Sequence, residues 1–144
     1  MMLKESHISI GKAKRKIFIY GILNFVLYIT LFLFLGWFNL LHFSGLRMLN
    51  YVTLFFISIY QIRHWIKETG GYIPSLQAFA IVFLTGTWSF MLLGGFVYAY
   101  SFSDPYITEL YFNTYGKLSA SISSFLIFFE GSSGSLIVGL VTMM

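Results

Sequence analysis

Ile17 to Phe38 reads IFIYGILNFVLYITLFLFLGWF and holds no charged residue. A helix of about 20 apolar residues crosses a hydrocarbon layer roughly 30 Å thick, so this run has the length and composition of a membrane span. Two more uncharged stretches follow, Met48 to Ile62 and Ile73 to Ser103. In a water-soluble domain much of this surface would face solvent. Hydrophobic residues make up 58% of the 144-residue chain and charged residues 10%, and the charges gather between the apolar runs. The composition therefore predicts an all-α integral membrane protein of three or four spans, too short to carry a soluble domain as well. The chain has no cysteine, which excludes disulfides, thiolate chemistry and cysteine-based metal sites.

Residues 1–16 form a basic tail with Lys4, Lys12, Lys14, Arg15 and Lys16, and 17–144 form one helical membrane domain. The first run is too long for the core of a signal peptide and no small-x-small site closes it, so it reads as a retained span over about 17–40. Gly45 marks a turn. The second span runs over about 46–66 and is closed by Arg63, His64, Lys67 and Glu68. Gly70-Gly71 breaks the helix, Pro74 opens the next, and the third span covers about 75–102. The Gly94-Gly95 pair either bends that span or admits a close neighbour. Asp104-Pro105 is a stop and restart.

From Pro105 to Phe129, apolar residues such as Ile107, Leu110, Leu118, Ile122, Phe125 and Phe129 recur at spacings of three and four, with polar residues between them. That pattern predicts an amphipathic exterior helix before the last span. Leu136–Met144 is too short to cross alone. The fourth span thus covers 122–144 or starts near residue 131, unless the chain as given lacks its end.

Lysine and arginine set the orientation. With the N-terminus in the cytoplasm, Lys4, Lys12, Lys14, Arg15, Lys16, Arg63 and Lys67 lie inside and only Arg47 and Lys117 outside, as the positive-inside rule expects. The basic run Gly11–Lys16 has neither the spaced glycine nor the following Ser or Thr of a phosphate loop, so it reads as topogenic. The expected partners are the lipid bilayer and a membrane protein or a second copy of the chain; no nucleic acid, cofactor or metal is expected.

The segment Ile66-Lys67-Glu68-Thr69-Gly70-Gly71-Tyr72-Ile73-Pro74-Ser75-Leu76-Gln77-Ala78-Phe79, together with Asp104-Pro105, resembles domain-of-unknown-function family 4199, small bacterial inner-membrane proteins. The resemblance implies four spans, a Gly-Gly-x-Ile turn before the third, and an amphipathic exterior stretch after the Asp-Pro. It implies no catalytic residues.

Several residues are candidates for more than bulk. Glu130 is the sharpest. Within hydrocarbon, its carboxyl would be an expensive group kept for a proton, an ion or a partner. The glycines and serines of Gly131–Ser135 read as a turn, which would instead put it at the exterior surface. Gly131, Ser135 and Gly139 share one helix face and predict close helix packing, within the chain or against another subunit; Gly95 and Ala99 repeat the pattern more weakly. Asn24, Gln61 and Gln77 fit interhelical hydrogen bonds or interfacial positions better than a pore. His7, His42 and His64 fall on opposite sides of the expected bilayer and share no metal. The leading functional expectation is a non-enzymatic accessory or structural subunit. A small oligomeric transporter or channel using Glu130 is the alternative. A lipid-acting enzyme would need a nucleophile or metal cluster that the interface lacks, unless Asp104 or Glu109 proved essential.

Overall fold

A computed structural model of the chain describes residues 10–40, 43–71, 73–104 and 120–143, and every structural statement below concerns these residues. They form four α-helices, α1 (Ile10–Trp37), α2 (Leu49–Thr69), α3 (Ser75–Tyr100) and α4 (Ala120–Met143), with a 3₁₀ turn at Ser44–Met48. No strand occurs among them. Gly11–Trp37, Ser75–Tyr100 and Ser124–Thr142 are each long and apolar enough to cross a membrane. α2 is not among these, because Asn50, Ser58, Gln61, Arg63, His64, Lys67 and Glu68 interrupt its apolar residues.

The element boundaries follow local chemistry. α1 starts at Ile10, inside the basic tail, because lysine and arginine are good helix formers and need not end a helix at the first apolar residue. Its far end stops at Asn39, whose φ of 54° is the left-handed conformation that asparagine tolerates, and the Leu40 N–H bonds back to Leu35 at 2.8 Å. α2 ends at Gly70 and Gly71, with φ of 80° and 119°; both amides turn back to the Ile66 carbonyl. Pro74 then precedes the first turn of α3.

Packing pairs give the topology. Tyr20 meets Tyr60 and His64 while Lys16 meets Glu68, so α1 and α2 are antiparallel. Phe18 lies against Trp88, Phe25 against Phe96 and Phe32 against Tyr100, so α1 and α3 are parallel. Gly94 faces Ser124, Gly131 faces Phe90 and Gly139 faces Phe79, so α3 and α4 are antiparallel. The helices close a ring in the order α1, α2, α4, α3, with α2 and α3 across one diagonal. The basic start of α1, the end of α2, the start of α3 and the end of α4 share one end of the bundle.

Apolar side chains cover the outside. Phe18, Ile19, Val26, Phe34, Phe56, Leu84, Phe125, Ile137 and Leu140 are exposed, while Asn24, Ser58, Gln61, Thr85, Ser89 and Ser135 are buried. Water drives apolar surface inward; a bundle oily outside and polar at its centre is matched instead to hydrocarbon.

The amphipathic stretch expected over Pro105–Phe129 falls largely on 105–119, outside the described residues, as do His7, His42 and the Pro105 restart. From Ala120 onward that stretch is simply the first part of α4. One expectation is corrected. Gly131-Ser132-Ser133-Gly134-Ser135 forms no turn but lies within one unbroken helix. The run stays helical, and the hydroxyls of Ser132, Ser133 and Ser135 donate to the carbonyls one turn back, at 2.8, 3.0 and 2.7 Å.

Candidate functional site

Three features stand out: a polar layer at the centre of the bundle, a carboxylate cleft beside it, and a charged cluster at its basic end.

The layer draws on α1, α2 and α3. Asn24 sits midway along Gly11–Trp37, and Thr85 and Ser89 flank the middle of Ser75–Tyr100. The Gln61 amide and the Thr85 hydroxyl bond across the diagonal at 3.1–3.2 Å, tying α2 to α3 through the interior. The Ser89 hydroxyl reaches the Thr85 carbonyl at 2.7 Å and the Gly21 carbonyl of α1 at 3.1 Å. Ser58 donates to Leu54 at 2.7 Å. Asn24 and Tyr28, one turn apart on α1, are completely buried; the Tyr28 hydroxyl lies near Asn24 and Thr53, but neither it nor the Asn24 amide makes a hydrogen bond of good geometry. Buried polar groups are seldom left so, because each loses its hydration without replacement.

Beside this layer runs the seam between α3 and α4. A methyl at Gly131 would collide with the Phe90 ring, one at Gly86 with Ser135, and one at Gly139 would lie 2.9 Å from Phe79. Gly131, Ser135 and Gly139 therefore face α3 of the same chain, and Gly134 faces the Tyr51 ring of α2. Gly95 and Ala99 lie on the open side of α3, and no atom approaches within 4 Å of where a Gly95 methyl would be.

Glu130 is half-buried on α4 and helps line a small cleft with Asn50, Tyr51, Phe90, Leu93, Ile127 and Gly131. The Tyr51 hydroxyl donates to the Glu130 backbone carbonyl at 3.2 Å, fixing this turn of α4 against the start of α2. The cleft has room for about one water molecule.

At the basic end Lys16 pairs with Glu68 and lies over the Trp65 ring at 5.3 Å, while His64 Nε2 is 3.0 Å from the other Glu68 oxygen. The hydrogen bond from Lys16 holds the Glu68 carboxyl below its ordinary range, with the Lys16 and His64 charges adding to it. Lys12, Lys14 and Arg15 are exposed on the first turns of α1, and Arg63 and Lys67 on the outer face of α2. Gln77 is exposed. No group of three metal-ligating side chains occurs among the described residues.

The sequence pattern pointed to Gly131, Ser135, Gly139 and Gln61. The Gly94-Gly95 pair was read as a bend or a close approach, and Gly94 is the one that meets α4, at Ser124. The pattern missed Gly86 and Thr85 on α3, although Gly86 stands two turns before Gly94. It also missed the Lys16–Glu68 pair, whose partners are far apart in the chain. Compared with models of known families, with curated proteins and with solved structures, the chain matches none.

Proposed function

We propose that this chain is a non-enzymatic, multi-pass subunit of the bacterial inner membrane, of the kind seen in domain-of-unknown-function family 4199, with its N-terminus in the cytoplasm. In this reading α2 crosses as a fourth span, its polar groups sheltered by the three more apolar helices. The protein acts by packing against a larger membrane complex. The observation that carries the reading is the outer face of α3: Met91, Gly95, Tyr98, Ala99 and Phe102 are all exposed there, with two small residues one turn apart between larger ones. Such a face lets a second backbone approach closely. The small residues of α4 are already occupied within the chain, so α3 is the face left for a partner. The test is purification in mild detergent from native membranes. The wild type is expected to elute with a partner, and Gly95→Leu is expected to release it without lowering the bundle's melting. A chain that always elutes alone sinks the proposal.

A second reading, an oligomeric transporter or channel, draws on Glu130, because its carboxyl belongs to an unbroken helix apolar enough to span. In liposomes Glu130→Gln would abolish proton-coupled flux; unchanged flux removes this reading.

A further inference from the structure

We propose that the outer face of α2 binds one anionic phospholipid of the basic-side leaflet, with Arg63 and Lys67 holding its phosphate. Tyr60, Arg63, His64, Ile66 and Lys67 line an open cleft at the basic end of the bundle. Arg63 and Lys67 stand one turn apart and are exposed. Glu68 is the carboxylate of that turn, and it is engaged on the other side by Lys16 and His64. Neither Arg63 nor Lys67 has an ion-pair partner among the described residues, so two cations converge uncompensated on one cleft. The guanidinium fork suits two phosphate oxygens, and the ammonium adds a point charge.

The neighbouring surface selects a lipid over a free anion. Val52, Phe56 and Tyr60 are exposed at 47%, 65% and 59% and continue the same stripe of α2 toward the other end. At 1.5 Å per residue, Lys67 lies about 9 Å beyond Gln61 of the central layer, toward the basic end. The stripe is thus apolar along the acyl region and cationic at its end nearest the headgroups. The Lys16–Glu68 pair puts the cationic end level with the basic start of α1, where headgroups are expected.

The proposal rests on the membrane reading above. The full chain is placed in nanodiscs of equal parts phosphatidylglycerol and phosphatidylcholine, then extracted gently, and its retained lipid is identified by mass spectrometry. Phosphatidylglycerol is expected in excess. Arg63→Gln and Lys67→Gln should each weaken its retention about fivefold and the pair about thirtyfold. Lys12→Gln/Lys14→Gln, which removes the same charge from the tail, should leave it within twofold. Equal loss from both double variants would mean diffuse attraction and overturns the site. So does absence of any phosphatidylglycerol excess, or displacement by inorganic phosphate added at constant ionic strength. A chain that leaves the disc for water sinks the membrane reading together with the site; an embedded chain without lipid preference sinks the site alone.

Discussion

Replacing glycine by alanine tests the α3–α4 seam, because the same change should have opposite signs at two positions. In a helix interior alanine is favoured over glycine by about 1 kcal/mol. That gain is common to Gly95→Ala and Gly131→Ala, so the difference between them isolates packing. At Gly95 a methyl meets nothing within 4 Å. At Gly131 it would enter the ring of Phe90 near its attachment carbon, which a ring flip about the Cβ–Cγ bond does not move. Phe90 is only 3% exposed and is held by Tyr28 at 4.9 Å and Tyr51 at 5.7 Å between ring centres, so it has nowhere to retreat. Overpacking of such a site costs about 1–3 kcal/mol. Gly95→Ala should therefore stabilise by up to about 1 kcal/mol, and Gly131→Ala should fall about 1–3 kcal/mol below it. Reversible unfolding in mixed micelles, followed by circular dichroism against denaturing detergent fraction, measures both. If the two variants shift stability equally, Gly131 does not face Phe90 and the antiparallel α3–α4 pairing is wrong.

Other substitutions probe the interior and the basic end. Asn24→Leu keeps the number and branching of heavy atoms while removing a buried amide that makes no hydrogen bond of good geometry, so it should raise stability by about 1–3 kcal/mol in the same assay. Gln61→Leu strands the Thr85 hydroxyl and should lower it by about 1 kcal/mol; a loss at both sites would show that Asn24 is partnered in the bundle. Because Glu68 titrates below the usual carboxylate range, its contribution is full above the unfolded value, near pH 4, and is lost as pH falls through the lower folded one. Melting should thus be flat from neutral pH down to about pH 5 and drop below about pH 4, a drop that Glu68→Gln removes. Gly70→Ala forces a side chain into φ 80° and should cost about 1–2 kcal/mol, seen as early fraying of the α2 end by hydrogen exchange.

The pattern of charge was enough to find α1 and α3, since an uncharged run longer than 20 residues has few uses outside a bilayer. Gly70-Gly71 and Pro74 marked the α2–α3 junction through backbone chemistry that holds in any solvent. α2 was harder, because Asn50, Ser58 and Gln61 lower its apolar character, and only their burial among the other helices reveals where they belong. No local pattern distinguishes a polar residue turned toward a partner helix from one at a surface. Pairings such as Gln61–Thr85 and Lys16–Glu68 depend on the closed ring of helices, which spacing along the chain does not encode.

Gly131–Ser135 shows most plainly why the reading of the candidate site stopped short. In water, a run of glycine and serine favours a turn, since exposed amides and carbonyls find solvent partners and glycine gains backbone freedom. In hydrocarbon the same run has the opposite meaning. A broken turn would leave backbone groups unpaired at a cost of several kcal/mol each, so helix is retained. Small side chains then become a device for close approach, and α4 uses them: Gly131 admits Phe90, Gly134 admits Tyr51 and Ser135 fits against Gly86. Keeping that helix intact also sets Glu130, half-buried, beside Asn50 and Tyr51, with its backbone carbonyl accepting from the Tyr51 hydroxyl. The environment thus decides what the residues mean: having judged the chain oily enough for lipid, consistency requires its glycines to be weighed by the same solvent, and that step turns the run after Glu130 from a turn into helix.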